Sequence, residues 1–459
     1  MNLPLDVAMT ATLATLVEGD AAPATLRVST DTRAIAPGDT FLALRGERFD
    51  GHDFVAEAAQ RGAAMLVIDR AEAHVGGLAT MRVKDTKAAY MALAGAARGL
   101  FRGTVVGITG SAGKTTTKAF LAALLGVKYG DRVLAAPENE NNEIGVSKLI
   151  LSASNDTHDV LVVEMGARHY GDVAALVEIA RPQIGILTNV GEAHLEIMGS
   201  RERLETTKWA LFARGARAIL NAGDAVSRRR APTLDRSPHW FAAEQSSLDP
   251  DVGLEPLTAF VGERRLLHRS GGRSVELDAD LHLPGLHNCA NLAAATAAAL
   301  ALNLPLERLV REFPTLRLPQ GRYDRVPLEG GVRLIYDAYN ANASGMMAAL
   351  DAFASEAASR RIAVLASMAE LGDESEALHE CVGAHAAGRV DVLLVRGEYA
   401  AQLARGAQRA GLAERQIVRV GTNAQAARWL REHARPDDVV LLKGSRKYKL
   451  EEIVEELRT

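Results

Sequence analysis

The chain has 459 residues, more than one hydrophobic core organises, so two or three domains are expected. Its composition, 48% hydrophobic and 24% charged, is that of a globular protein in water, and a net charge of −4 excludes a broad basic field for nucleic acid. Phosphates, if bound, must be held by local sites. The two cysteines, Cys289 and Cys381, lack metal-ligand spacing and are read as buried thiols, with neither a disulfide framework nor a zinc site. Met1–Glu18 carries Asp6 and no basic segment before an apolar core, so it does not read as a signal peptide. Leu281–Leu306 is uncharged but interrupted by prolines, histidines and asparagines, which makes it a poor membrane span. A cytoplasmic protein is expected, with no membrane span and no nucleic-acid partner.

In chain order, residues 1–98 read as a small α/β unit. Thr40–Leu44 has strand character and is followed by an Arg45-Gly46 turn; His52–Arg61 places Phe54, Val55 and Ala58 on one helical face, and Ala64–Ile68 is the next strand. Ser29-Thr-Asp-Thr-Arg33 is its strongest local feature, although residue types alone slightly favour a solvated Asp31–Arg33 pair over a binding site. Asp85–Arg98 is an alanine-rich helix leading to the next unit.

Residues 99–318 alternate strands with helices, the pattern of a mostly parallel sheet with ligands at the carboxyl ends of its strands. The strand Val105–Thr109 runs into Gly110-Ser-Ala-Gly-Lys-Thr-Thr-Thr-Lys118 and then a helix from Thr115 to about Leu125. Gly110 and Gly113 free the backbone to aim N–H groups at phosphate oxygens, the helix adds its positive end, Lys114 supplies a mobile charge and the Thr115 hydroxyl suits Mg²⁺. The strict phosphate-loop pattern would place Gly at position 108, where Ile108 stands, so the match is the shorter Thr-Gly-x-x-Gly-Lys-Thr. Strand Val160–Val163 ends in Glu164-Met-Gly-Ala-Arg-His169, helix Val173–Ala180 follows, and strand Ile184–Thr188 ends in Asn189-Val-Gly-Glu-Ala-His194. Thr115, Glu164 and His194 thus share one sheet edge with ligand types for one or two Mg²⁺ ions; singly, each is more often structural or solvated. Arg228–Pro250 reads as loop and edge strand.

Residues 319–459 form a third α/β unit, reset near Gln320-Gly-Arg322. Strand Val332–Tyr336 leads to Asp337-Ala-Tyr-Asn-Ala-Asn342, Ile362–Ala366 to Met368-Ala-Glu-Leu-Gly372, Val392–Val395 follows, and Val439–Leu442 leads to Lys443-Gly-Ser-Arg446. Its polar strand ends are expected to face the nucleotide across a cleft.

These motifs, with Leu44-Arg-Gly-Glu-Arg-Phe-Asp50, Glu140-Asn-Asn-Glu-Ile-Gly-Val146 and Leu283-Pro-Gly-Leu-His-Asn288, resemble the Mur ligases of bacterial cell-wall synthesis over nearly the whole chain. The shortened phosphate loop is that family's form. Tyr339-Asn-Ala-Asn342 stands where the diaminopimelate- or lysine-adding branches carry Asp-Asn-Pro-Arg, and resembles the branch that adds D-alanyl-D-alanine. The resemblance implies three α/β domains: a UDP-substrate-binding domain (1–98), a central P-loop-type, mostly parallel ATP-binding domain (99–318) and a Rossmann-like ligase domain (319–459). It also implies a monomer that uses ATP and Mg²⁺ to join a UDP-N-acetylmuramoyl-tripeptide to D-alanyl-D-alanine through an acyl phosphate.

By position, the resemblance assigns ATP to Gly110, Ser111, Gly113, Lys114, Thr115, Thr116, Asn291, Arg322 and Asp337, and metal to Thr115, Glu164, His194 and Lys208, the last as a carbamate. Lys114, His194, Lys208 and Arg322 are its catalytic set; Thr30, Asp31, Arg33, Arg45 and Gly46 hold the UDP end, and Asn340 and Asn342 the acceptor. For Lys208 alone, position favours an exposed helical lysine paired with Glu205. Three departures from the family's usual text are Ala112, Ser147 and, before Met-Ala-Glu-Leu-Gly, Ala366-Ser367 in place of Gly-Asp. The alternatives are another Mur-type or folylpolyglutamate-type amide ligase with a different acceptor, and a catalytically idle ATP-binding partner subunit.

Overall fold

The computed structural model describes residues 1–17, 21–46, 49–137, 140–192, 195–243 and 254–458. Three α/β units follow one another along the chain, each built on its own sheet. The central sheet runs, from one edge, Arg273–Asp278, Arg265–Ser270, Leu257–Val261, His239–Ala242, Arg217–Asn221, Ile184–Leu187, Thr104–Thr109, Val160–Glu164 and Val133–Ala135. Its pairs are parallel from Val133–Ala135 to Leu257–Val261, and only the last two strands are antiparallel.

Burial explains why Thr104–Thr109 is central. Val105 to Thr109 are all buried, and this run of β-branched residues with no charge suits a strand covered on both faces. Gly107 is needed for close packing, because a Cβ there would lie 3.1–3.2 Å from Leu211, Met165 and Pro182. Below the sheet, helix Lys114–Tyr129 packs against Leu286–Ala301, whose alanines let the two axes approach around Phe120, Leu121, Leu124 and Leu292. Above it lie Thr86–Leu100, Glu143–Ser152 and Asp172–Ala180.

The first of those helices joins the amino-terminal unit to the central one. That unit's sheet places Thr15–Leu16, Ala79–Arg82, Met65–Ile68, Thr40–Leu42 and Val28–Ser29 side by side, parallel except at Thr15–Leu16. Asp85 caps the helix by accepting from Ala88 N at 2.7 Å. Near the other end, the buried Arg98 donates to the carbonyls of Ala180 (2.7 Å), Phe101 (3.2 Å) and Arg181 (3.1 Å), satisfying groups left open at two helix C-termini.

The third sheet has the order Asp324–Pro327, Arg333–Tyr336, Asp438–Lys443, Arg360–Ala366, Val392–Arg396 and Ile417–Val420, antiparallel only at its first pair. Ser367 is fully buried there; its hydroxyl accepts from Tyr399 N at 2.9 Å and donates to Arg396 O at 3.3 Å. The Ala366-Ser367 departure therefore stitches neighbouring strand ends together.

Two expectations are corrected. His239–Ala242 is an internal, fully buried strand with parallel neighbours on both sides, preceded by helix Ala225–Arg230, so the Arg228–Pro250 region is not a loop with an edge strand; its residues 244–250 lie outside the described ones. The arginine run that suggested a loop is the solvent face of the helix. Cys289 is buried, but Cys381 is exposed on the outer side of helix Ser375–Ala386, where its small size suits either face.

The internal strand carries a buried polar chain: His239 Nε2 lies 2.9 Å from the Thr258 hydroxyl, which lies 3.1 Å from His268 Nδ1. Burial and the neighbouring His268 push His239 down to about 3 from 6.5, and burial lowers His268 as well. Above pH 6.5 both folded and unfolded His239 are neutral, whereas between 6.5 and about 3 only the unfolded chain takes the proton. Stability should therefore fall progressively as pH drops through that window. Thermal melts from pH 8 to 4 (roughly the range below which carboxylates intervene) should show this, with a shallower decline in His239→Phe; identical slopes would contradict the assignment.

Candidate active site

Strand Thr104–Thr109 delivers the chain to a loop that only glycine can form. Gly110 has φ 150° and a Cβ there would sit 1.8 Å from Thr188 Oγ1; Gly113 has φ 82° and its Cβ would sit 2.3 Å from Asn291 Oδ1. The loop is held from the neighbouring strand end. Ser111 N donates to Asn189 O at 3.0 Å, Ala112 N to Asn189 Oδ1 at 3.0 Å, the Thr188 hydroxyl to Ala112 O at 2.6 Å, and Gly191 N to Ser111 Oγ at 2.8 Å. Helix Lys114–Tyr129 starts directly after Gly113, so its positive end points out of the loop.

Two amines meet at one carbonyl. Lys114 Nζ donates to Gly110 O at 2.8 Å, and Lys208 Nζ, 1% exposed, donates to the same oxygen at 3.1 Å. Lys208 lies near the end of helix Arg201–Trp209, which Ser200 caps. Burial, reinforced by the Lys114 charge, holds the Lys208 amine well below the ordinary lysine range. Burial lowers Lys114 too, opposed by Glu164 and aided by Arg322. Glu205, the partner that position suggested for Lys208, instead bonds Arg229.

Glu164 is the buried carboxylate of the site, 1% exposed. Its Oε1 accepts from the Thr115 hydroxyl at 3.2 Å and from Asn141 Nδ2 at 2.9 Å; its Oε2 lies 3.3 Å from Lys118 Nζ but makes no hydrogen bond of good geometry. A hydroxyl and a carboxylate with a spare buried oxygen are hard donors of the kind Mg²⁺ takes together with substrate phosphates. His194 lies outside the described residues. Among the described residues no group of three or more His, Cys, Asp or Glu side chains is placed to hold a metal.

The third unit closes the opposite wall. A cavity of about 270 Å³ is lined by Ser111–Thr115, Asn141, Glu164 and Arg168 on one side and by Arg322, Tyr339, Asn340, Asn342 and Lys443 on the other. The Arg322 guanidinium sits 4.5 Å above the Tyr339 ring. Asn340 Oδ1 accepts from Ala341 N at 2.9 Å, and Asn342 Oδ1 caps helix Ala343–Ala354 by accepting from Gly345 N at 2.8 Å. Of the residues expected to touch nucleotide, Gly110, Thr116, Asn291 and Asp337 do not line this cavity: Asn291 lies against Gly113 and 3.4 Å from the Thr117 hydroxyl, and Asp337 is in a buried ion pair with Lys443 at 2.9 Å. Thr116 is buried in the first turn of the phosphate-loop helix.

The UDP set divides. Thr30 and Asp31 line a cavity of about 1070 Å³ between the amino-terminal sheet and helix Glu143–Ser152. Arg33 turns outward, its side chain 84% exposed, and donates to Asp31 from Nε (2.9 Å) and Nη2 (2.7 Å), which holds Asp31 at about 2. Arg45 and Gly46 lie on the next strand end, outside that cavity's lining. Arg45 bonds Asp69, while Asp50 bonds His52 Nδ1 (2.6 Å) and Arg70 (2.7 Å). Sequence reasoning did not single out Asn141, Asn189, Lys118, Asp69 or Lys443. Asn141, Asn189 and Lys118 lay inside quoted motifs and Lys443 at a named strand end, without a role being given to any of them; Asp69 lay outside every quoted motif.

Family models match residues 27–95 ("Mur ligase family, catalytic domain"), 108–299 ("Mur ligase middle domain") and 321–446 ("Mur ligase, glutamate ligase domain"). A Synechocystis relative named UDP-N-acetylmuramoyl-tripeptide--D-alanyl-D-alanine ligase is 39% identical over 362 residues, 78% of this chain and 76% of the relative. The chain belongs to the Mur ligase family. Among solved Mur ligases, a MurF from Acinetobacter baumannii superposes with a TM-score of 0.85 at 26% identity, covering 100% of this chain and 99% of the other. The MurF ligase from Thermotoga maritima in complex with ADP gives 0.79 at 28%, covering 94% and 97%.

The Gly113 geometry makes a sharp prediction for this Mur ligase. Gly113→Ala should weaken binding of a non-hydrolysable ATP analogue about tenfold or more, because displaced loop N–H groups lose charge-assisted hydrogen bonds worth roughly 1.5–3 kcal/mol each. Calorimetric titration of the variant checks it; unchanged affinity would mean that the loop does not hold phosphate.

Proposed function

We propose that this Mur ligase activates the terminal carboxylate of a UDP-N-acetylmuramoyl-tripeptide with ATP and joins it to the amine of D-alanyl-D-alanine, in peptidoglycan precursor synthesis. The observation that carries the reading is the cleft in which the phosphate loop, Lys114 and Glu164 face Arg322, Asn340 and Asn342 across about 270 Å³, with Lys208 buried behind the loop on the Gly110 carbonyl. The 39% identity to the Synechocystis ligase and the separate match over residues 27–95 favour this acceptor and substrate over a folylpolyglutamate-type activity. The intact loop, lysines and Glu164 argue against an idle ATP-binding partner.

A carboxylate and ATP repel one another, and the residues present address that barrier. The loop N–H groups and Lys114 hold the outer phosphates in line with the incoming carboxylate oxygen. Arg322, stacked on Tyr339, reaches the same phosphates from the other unit as the cleft closes and water is excluded from the acyl phosphate. The dipeptide amine then attacks the acyl carbon, phosphate leaves, and the amine gives up its proton. Asn340 and Asn342 lie on the wall where that amine must approach. Thr115 and Glu164 would hold Mg²⁺, which supplies charge neutralisation to the phosphates when bound. Lys208, buried beside a second cation and with no carboxylate on its amine among the described residues, is suited to carbamylation, and as a carbamate would present oxygen to a second ion. Thr30, Asp31, Arg33, Arg45 and Gly46 are assigned to the UDP end, the two cavity-lining residues foremost. Asn291, Thr116 and Asp337 are assigned to the nucleotide, a reading supported by the packing of Asn291 on Gly113 and of Asp337 on the cavity residue Lys443.

The central sheet opens at Thr104 and the third at Asp324, which supports dividing the chain near residues 98 and 318. No described helix is long and apolar enough to cross a membrane; we take the enzyme to be a cytoplasmic monomer.

Incubation with ATP, UDP-N-acetylmuramoyl-tripeptide and D-alanyl-D-alanine should yield the pentapeptide by mass; no product with any diamino acid at the third position would overturn the reading. Lys114→Ala should lower kcat at least about a thousandfold, as removal of a preorganised transition-state charge does, while near wild-type turnover would refute its role. For Lys208, labelling with ¹³C-bicarbonate should give a carbamate carbon resonance that disappears in Lys208→Ala, and a spectrum without that resonance would exclude the modification.

A further inference from the structure

The third unit is tied to the central one by a loop that the proposed chemistry does not use. Residues 367–374, between strand Arg360–Ala366 and helix Ser375–Ala386, lie against residues 195–201 of the central unit. Arg201 bonds both carboxylate oxygens of Glu374, from Nε at 3.2 Å and Nη2 at 2.6 Å, a fork on a carboxylate. Arg168 Nη2 donates to Glu370 Oε1 at 2.9 Å, and Glu196 N donates to Glu370 O at 3.3 Å. Glu370 has φ 62°, a conformation that residues with side chains rarely adopt; here it turns both its carbonyl and its carboxylate toward the central unit. Gly372 keeps the chains close, since a Cβ there would meet Glu196 at 3.3 Å.

The two arginines occupy telling positions. Arg168 follows the Glu164 strand end and lines the phosphate cavity, and Arg201 begins the helix that carries Lys208. Their acids sit on the unit that carries Arg322, Asn340 and Asn342. Both pairs are substantially exposed, with arginine side chains 65% and 60% accessible. Such a pair shifts an equilibrium by about fivefold or less and weakens with salt, which is enough to bias two packed units between closed and open arrangements.

We infer that Arg201–Glu374 and Arg168–Glu370 form a salt-sensitive latch that positions the third unit over the phosphate loop, making Arg201 and Glu374 positioning residues for the ligation. This rests on the proposed activity only for its kinetic consequence; the closure itself is read independently.

The test uses the full chain as Arg201→Glu, Glu374→Arg and the double reversal, with Glu374→Gln as a substitute where a single reversal does not fold. Small-angle X-ray scattering without nucleotide should give a larger radius of gyration for each single variant than for wild type at low salt, with the double variant returning to the wild-type value. Raising NaCl from about 0.05 M to about 0.5 M, which shortens the screening length several-fold, should open the wild type and narrow its difference from the singles. Ligation kcat/KM should fall about fivefold in each single and recover in the double, at unchanged melting temperature. Equal radii in all four proteins at both salts, or a double variant no more compact than the singles, would overturn the latch. A wild type that shows the scattering pattern but makes no ligation product would sink the proposed activity and leave the latch standing.

Discussion

The oxygen of Gly110 accepts from two lysines, and much of the site follows from that convergence. Lys114 and Lys208 come from elements almost a hundred residues apart (|i−j| = 98 for the Lys208 contact), yet each donates to this carbonyl at 2.8 and 3.1 Å. Two ammonium groups so close, with burial added, cannot both keep their ordinary basicity, and it is the more buried Lys208 that yields furthest. The two amines are therefore unequal, with Lys208 held further below the ordinary lysine range than Lys114. Gly110 can offer its carbonyl only because its φ of 150° turns the peptide there, and because Thr188 fills the space a side chain would need.

Most of the cleft's polar groups follow the carboxyl ends of parallel strands. Thr109, Glu164 and Leu187 end three adjacent strands of the central sheet, and Tyr336 and Lys443 end two adjacent strands of the third. Two such edges set face to face make a cleft whose walls belong to different units. On the proposed reading, phosphate held on one wall meets Arg322 and the acceptor wall only when the units are apposed, and this coupling of assembly to chemistry would protect an acyl phosphate from water.

The sequence made the central strands and the loop legible because a buried parallel strand, a glycine turn and a helix start leave strong local marks. Thr104–Thr109, Val160–Glu164 and Arg360–Ala366 were all anticipated within two residues. Gly126 did not end the phosphate-loop helix, which continues to Tyr129 because glycine is tolerated where its face is only half-buried. His239–Ala242 was hidden by its charged surroundings, since four residues cannot display a periodicity against an arginine-rich helix next door. At the site, Lys208 was found through resemblance and not through its own pattern. Asn189 and Lys118 were missed because what matters is the backbone amide or the carboxylate each faces across the sheet, and no spacing along the chain encodes that. Arg33 shows the converse: a motif residue whose side chain points to solvent and is satisfied by its own neighbour.

The account's central claim is that this cleft brings a peptide carboxylate and the outer phosphate of ATP together as reacting groups. It is tested most directly by oxygen-isotope transfer. A UDP-linked tripeptide carrying ¹⁸O in both oxygens of its terminal carboxylate is turned over with ATP and D-alanyl-D-alanine, and the released phosphate and the new amide are weighed. Transfer of a single ¹⁸O to each phosphate, with the other retained in the amide, is the predicted result. Unlabelled phosphate alongside pentapeptide product would mean that the carboxylate never attacked phosphorus, and would contradict the account.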